Sequence, residues 1–261
     1  MMNERILIVV TVCLLLASCA AGLEHKKTKE IKYSGAVSLS HTINAGIPLW
    51  PGDPPVTFHD EASIPKDGYY LRSFSIGEHS ATHMNAASSF YEKGKSIDAY
   101  GIQELILPAV VVDVRKKCSL NPDYQLTVND IKDWEKVNGE IEAGSLFILF
   151  TGWQERWGDS AKFLGADAAG VLHFPGFGTD AARFLLHNRK AAGLGIDTHG
   201  VDPGSDSTFS VNSLVFEKDG IVIECLANLD KLPPAGATVI IGTLKLQGGS
   251  GSPVAVTALI P

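Results

Sequence analysis

The sequence predicts an α/β or α+β domain built on a mixed sheet. Three observations carry that reading. Apolar segments of strand length outnumber segments of helical period, and the two kinds alternate irregularly. Ala109–Val114 and Ser145–Phe150 are nearly continuous runs of β-branched, aliphatic and aromatic residues, as buried strands are. The 261 residues are 45% hydrophobic and 20% charged, the composition of an ordinary globular chain long enough for one large domain. The formal charge of −7 argues against a general nucleic-acid binder, whose surface would be basic.

The N-terminus reads as a targeting segment over residues 1–22. Arg5 precedes an apolar run from Ile6 to Leu16, and small residues follow from Ala17 to Gly22. The run is too short to span a membrane comfortably. Leu16-Ala17-Ser18-Cys19 fits a lipobox that would make Cys19 a lipidated first residue; plain cleavage after one of Ala20–Gly22 fits as well. Either route exports the mature chain, and any membrane association would run through that lipid. Residues 23–34, with lysines from Lys26 to Lys32, read as a flexible leader, and residues 35–261 as a single domain. Of the cysteines left in the fold, Cys225 follows an apolar strand pattern and reads as a small core residue. A bridge from Cys118 to Cys225 is chemically allowed outside the cytoplasm, though sequence cannot bring the two together.

Along the domain, Val37–His41 and Leu71–Ile76 alternate as strands do. Between them, the prolines and glycine of Ile47–Pro55 fix an extended, turning loop. Thr127 followed by Asp130 is a capping box that opens a helix running to about Val137, and Gly144 ends that unit. Phe174–Gly178 breaks the chain, and Thr179 is expected to cap a helix with Ala182, Leu185 and Leu186 on its apolar face. Ala192–Asp197, Ile221–Glu224, Thr238–Leu246 and Val254–Leu259 complete the strands. Gly248–Gly251 lacks the order of a phosphate-binding motif and reads as a turn.

The chemistry centres on Gly77–Phe90. His79 and His83 stand four apart, with the amide of Asn85 two residues further on, among small uncharged residues. Imidazole nitrogens at this spacing suit zinc, manganese or iron, and an oxygen donor can complete one side of the shell. The same spacing fits two surface histidines one helical turn apart. Glu224 is more telling. It is an acid inside an apolar strand, so it must be paired, protonated or metal-bound. Trp50 could stack on an aromatic ligand or simply pack in the core.

His79-Ser80-Ala81-Thr82-His83-Met84-Asn85-Ala86-Ala87-Ser88-Ser89 resembles the cyclase-family signature His-x-Gly-Thr-His-x-Asp-x-Pro-x-His. That family includes bacterial kynurenine formamidase and isatin hydrolase, and the resemblance runs from about Val37 to the C-terminus. Both histidines and the threonine are kept; Ala81, Asn85, Ala87 and Ser89 depart from the pattern. Trp50-Pro51-Gly52-Asp53, Asp197–Asp202 and Asn228–Pro233 resemble further family segments. The resemblance implies a swivelling β/β/α architecture, usually oligomeric, with Trp50 walling the substrate pocket. It implies a metal-assisted attack of water on a formamide or lactam carbonyl, by an arylformamidase or isatin hydrolase-like enzyme. The family histidine and glutamate of the second half-site fall on Asn212 and Glu224. One divalent ion, zinc or manganese, is therefore expected on His79, His83 and Glu224, with Asn85 or His199 completing the shell. For hydrolysis, His199 or Glu224 would have to replace the base that Ser89 cannot supply; His199 reads equally as a hydrogen-bonding loop residue. The alternative is a catalytically weak or inert exported relative that binds a small ligand or metal.

Overall fold

The computed structural model describes residues 30–261. The targeting segment, Cys19 and most of the expected leader lie outside the described residues. In chain order the strands are β1 (Gly35–Ser38), β2 (Thr57–Ala62), β3 (Leu71–Ser75), β4 (His83–Asn85), β5 (Ile106–Asp113), β6 (Gln125–Leu126), β7 (Leu146–Phe150), β8 (Gly176–Phe177), β9 (Gly193–Ile196), β10 (Ile221–Glu224), β11 (Ala235–Thr243) and β12 (Gly251–Ile260). One sheet joins eight of them in the order β1-β12-β11-β5-β7-β9-β10-β4. β12 pairs with β4 as well, so the row closes into a barrel with β1 outside the ring. β5, β7, β9 and β10 are parallel, while β4, β11 and β12 pair antiparallel, which makes the sheet mixed as predicted. Among the described residues, no helix is long and apolar enough to cross a membrane.

Strand periodicity sorts the core into two parts. Met84, Ala109, Val111, Ile148, Ile223, Val239 and Val256 share one buried cluster contributed by strands all around the ring, which is the barrel interior. Their neighbours Val110, Val112, Phe147, Leu149, Leu194 and Val222 face outward into a second cluster. There they meet Ile131 from the helix Val128–Asn138, Ala182 from Thr179–Arg183 and Val215 from Ser210–Phe216. Strands buried on both faces lose the polar alternation of a half-exposed strand, which explains the continuous apolar runs in the sequence.

The capping box forms as predicted: Thr127 accepts from the Asp130 backbone N–H, and the Asp130 carboxylate accepts from Thr127 in return. Thr179 does not cap. It is the first helical residue after Gly178, and its hydroxyl bonds that of Ser210 instead. Cys118 and Cys225 are both buried and, among the described residues, free. The sequence also concealed β4. Its three residues lie in a small, polar stretch with no alternation to read, and pairing on both sides makes them a strand.

Candidate active site

Sheet register brings the site together. β4 and β10 pair antiparallel with His83 directly opposite Glu224, across 141 positions of chain. Met84 and Ile223 point into the barrel, so His83, Asn85, Val222 and Glu224 take the outer face. Glu224 is the last residue of β10. Asp197-Thr198-His199 follows β9 directly, and β7 ends just before Thr151. The site thus lies at the carboxyl ends of the parallel strands. Asp197 ties two of these ends together, accepting from the Thr151 N–H and hydroxyl and from the Gln154 N–H.

His83 carries the most constrained chemistry. Nδ1 lies 2.9 Å from the Ala81 carbonyl, which only accepts, so Nδ1 bears a proton. Nε2 then faces Glu224 Oε2 at 3.1 Å. A neutral imidazole would present a lone pair to a carboxylate there, so a proton or a metal cation must be shared between them. Ala81 holds its carbonyl in place with a φ of 57°, a left-handed conformation at the position where the family pattern has glycine. Glu224 is otherwise fully engaged: Oε1 accepts from the Val201 N–H at 2.9 Å and Oε2 from Asn85 Nδ2 at 3.0 Å. Burial pushes its carboxyl up, but His83, the Val201 N–H and Asn85 outweigh that and hold it below the ordinary value.

Asn85 is a bridge. Its Nδ2 must face Glu224, because an ionised carboxylate only accepts, and that turns Oδ1 to His79 Nδ1 at 2.7 Å. His79 Nε2 lies 2.8 Å from the Ser250 hydroxyl. Burial pushes the His79 pKa down, with His83 adding to the shift against the Asn85 bond, Glu224 and Glu78. Nδ1 donates to the Asn85 oxygen; the Ser250 hydroxyl gives its one proton to Glu78 Oε2 at 2.7 Å, so Nε2 meets it as a donor and the two bonds favour a protonated ring against the burial. Gly251 leaves room for it: a Cβ at that position would fall 2.7 Å from His79 Cε1. Ser89, at the position of the family's last histidine, spends its hydroxyl on the carbonyls of Ala86 and Ser250.

The other side of the site comes from loops and a helix N-terminus. Asp202 caps Ser210–Phe216, accepting from the N–H groups of Val211 and Asn212 and from Asn212 Nδ2 at 2.8 Å. Burial raises its pKa to about 6 against those bonds. His199 is 4% exposed, and burial, reinforced by His83, lowers its pKa to about 4, so it is neutral. His199 Nε2 and Asn212 Oδ1 are buried and have no hydrogen-bond partner among the described residues.

His79, His83, Asn85, Ser89, His199, Asp202, Asn212 and Glu224 line one cavity of about 250 Å³. Its apolar wall is Trp50, Phe90, Phe174 and Phe209. Trp50 meets His199 edge-on with ring centroids 5.5 Å apart and lies 6.2 Å from Phe209. The predicted residues Trp50, His79, His83, Asn85, His199 and Glu224 therefore share a single site. Sequence reading missed Asp53, Asp202, Phe174 and Phe209 as its lining. Asp53 and Asp202 carried a signal, as the ends of the family-like segments Trp50–Asp53 and Asp197–Asp202; burial raises the Asp53 pKa against His79 and His83.

Among the described residues, no three His, Cys, Asp or Glu side chains converge into a ready metal shell. His79 is kept out of one by the bonds at both its ring nitrogens. The donors nonetheless fit one divalent ion, because His83 Nε2 and Glu224 Oε2 face each other across a contact that a proton or a metal cation must fill. They offer little to a second: Asn85 turns its neutral amide oxygen to His79 and cannot bridge two cations as a carboxylate would, and Asn212 puts a neutral oxygen where the family pattern has imidazole.

The Cyclase family model matches residues 37–203. An isatin hydrolase of Roseibium aggregatum is 37% identical over 219 residues, covering 80% of this chain and 82% of that protein. A kynurenine formamidase of Sphingopyxis alaskensis is 26% identical over 220 residues, covering 83% and 93%. A crystal structure of an isatin hydrolase bound to the product analogue thioisatinate superposes with a TM-score of 0.81 at 33% identity, covering 95% of this chain and 98% of that one.

Proposed function

The chain belongs to the cyclase family, and from that premise we propose that it is a metal-dependent hydrolase opening a carbon–nitrogen bond in a small aromatic amide or lactam. One observation carries the reading: an aromatic-walled cavity whose floor presents His83 Nε2 and Glu224 Oε2 to each other at 3.1 Å. His83 and Glu224 would hold one divalent ion, with His79 and Asn85 beside them. When bound, such an ion polarises the carbonyl and lowers the pKa of water.

The chain's own residues divide the remaining work. Trp50 and the three phenylalanines bury the aromatic ring and exclude water. Water adds to the carbonyl carbon and the C–N bond breaks, giving an amine and a carboxylic acid that releases its proton to solvent; from a lactam the two groups remain in one molecule. The proton lost by water must reach the departing nitrogen. Glu224 has its oxygens engaged, so the carrier is His199, neutral and with Nε2 unpaired. This role needs the Nδ1–H tautomer, which leaves the Nε2 lone pair free. The apolar run Ile6–Leu16 and the small residues after it support export of the mature chain.

A second reading has its own support. Asn85 cross-links His79 to Glu224, and Ser89 is spent on backbone carbonyls, as in a site rebuilt for binding without turnover. Hydrolysis of isatin and N-formylkynurenine, with zinc or manganese added and a His83→Ala control, separates the two. Metal-dependent opening of either amide that fails in the variant is the expected result. Absence of turnover on both contradicts the hydrolase and favours the binding protein.

A further inference from the structure

We propose that Asn212 determines specificity by accepting the N–H of the ligand's amide, so that the site selects secondary amides and N-unsubstituted lactams over esters and lactones. The inference rests on the pocket binding an acyl compound but not on its hydrolysing one. The side chain is 4% exposed, and its orientation is fixed by chemistry. Its Nδ2 donates to Asp202 Oδ2 at 2.8 Å, and the same carboxylate takes the backbone N–H groups of Val211 and Asn212. A carboxylate so engaged cannot be offered an amide oxygen, so the flipped amide is excluded.

Oδ1 is therefore the free atom, and it is buried without a partner among the described residues. Leaving an acceptor buried and unpaired is costly, and folded proteins rarely do it away from a ligand. The residue lines the same aromatic cavity as His199, whose Nε2 is also unpaired. The two atoms differ in what they can take. A neutral imidazole nitrogen either donates or accepts, according to tautomer, whereas an amide oxygen only accepts. A ligand must bring a donor to Asn212, and an amide N–H is the donor that every secondary amide carries beside its carbonyl. An ester or lactone places an oxygen there, which leaves two acceptors face to face. Sites built to bond a particular N–H reject analogues lacking it far more strongly than apolar pockets discriminate shape.

The test is calorimetric binding of oxindole and of 2-coumaranone, two ring systems that differ by N–H against O. The wild-type chain should bind the lactam about tenfold or more tightly. In Asn212→Leu, which keeps similar bulk without the acceptor, the two should bind within about threefold of each other. Asn212→Ala repeats the comparison should the leucine variant fail to fold, and the wild-type ratio stands on either outcome. Equal binding of the pair by wild type, binding of neither, or a preference that survives both substitutions overturns the proposal. Lactam preference without any amide hydrolysis would sink the hydrolase and leave this inference standing. Hydrolysis without lactam preference would do the reverse.

Discussion

The strand half and the loop half of the site are built to opposite standards. On β4, β10 and the turn before β4, His79, His83, Asn85 and Glu224 form a chain in which each side-chain nitrogen and oxygen faces a partner, and sheet register sets His83 and Asn85 against β10. On the loop after β9 and in the helix Ser210–Phe216, His199 and Asn212 are buried as deeply as His83 and Glu224, yet each keeps one polar atom without a partner among the described residues. Packing does not explain the contrast, since His83, Asn85 and Glu224 are as closed off from solvent as His199 and Asn212. A saturated network fixes geometry, and an unsaturated one stores an interaction for something that arrives later. The strand half thus reads as the holder, and the loop half as the part that meets the ligand.

The comparison breaks first if Glu224→Ala is mild. That substitution strips partners from His83, Asn85 and the Val201 N–H at once. Removing one member of a buried pair costs about 3–5 kcal/mol, and chemical denaturation should show a loss of that size. A loss below about 1 kcal/mol would mean that the strand network is not saturated in solution.

Asp130 sharpens the contrast from outside the site. It too is a buried, saturated carboxylate, accepting from Thr127 and Tyr124 and paired with Lys117. Asp130→Ala should cost about 2 kcal/mol without touching ligand affinity. Burial alone would push the Asp130 carboxyl up, but Lys117 and the hydroxyls of Thr127 and Tyr124 outweigh it and hold the pKa below the ordinary value. A depressed pKa stabilises the fold fully above the unfolded value near 3.9, and that contribution fades as pH falls through the folded one. Wild type and variant should therefore converge in denaturation midpoint at low pH and separate at neutral pH.

The smallest effect belongs to Ala81, whose left-handed backbone sits beneath His83. Ala81→Gly should relieve strain of about 1 kcal/mol at most, since glycine also loosens the unfolded chain. A large loss of stability in a thermal scan would show that this backbone is not strained.

What the sequence disclosed and what it hid follow the same division. Local patterns were legible: the Thr127–Asp130 box, the apolar runs of β5 and β7, and Glu224 as an acid that had to be satisfied. Contacts made by register were not, because nothing in Ser80–Asn85 alternates and β4 exists only through β10 and β12. The closing of the barrel by β12 was hidden for that reason. The helix Ser210–Phe216 was hidden by its brevity, and with it the bond that turns Asn212 toward Asp202. Thr179 misled because a cap depends on which residue takes the extended backbone, and here Gly178 does, with a φ of −73° and ψ of 141°. Asn85 stands where the family has an acid, and only coordinates could show it bridging a ring to a carboxylate.

The most direct test of the two-halves account measures folding and turnover in one variant, His199→Leu. Removing an unpaired buried nitrogen should leave the thermal midpoint unchanged or raise it. Metal-supplemented opening of isatin should at the same time fall by about 10²–10⁴-fold, the usual worth of a positioned proton carrier. Turnover at the wild-type rate, or a midpoint that drops as far as in Glu224→Ala, would contradict the account.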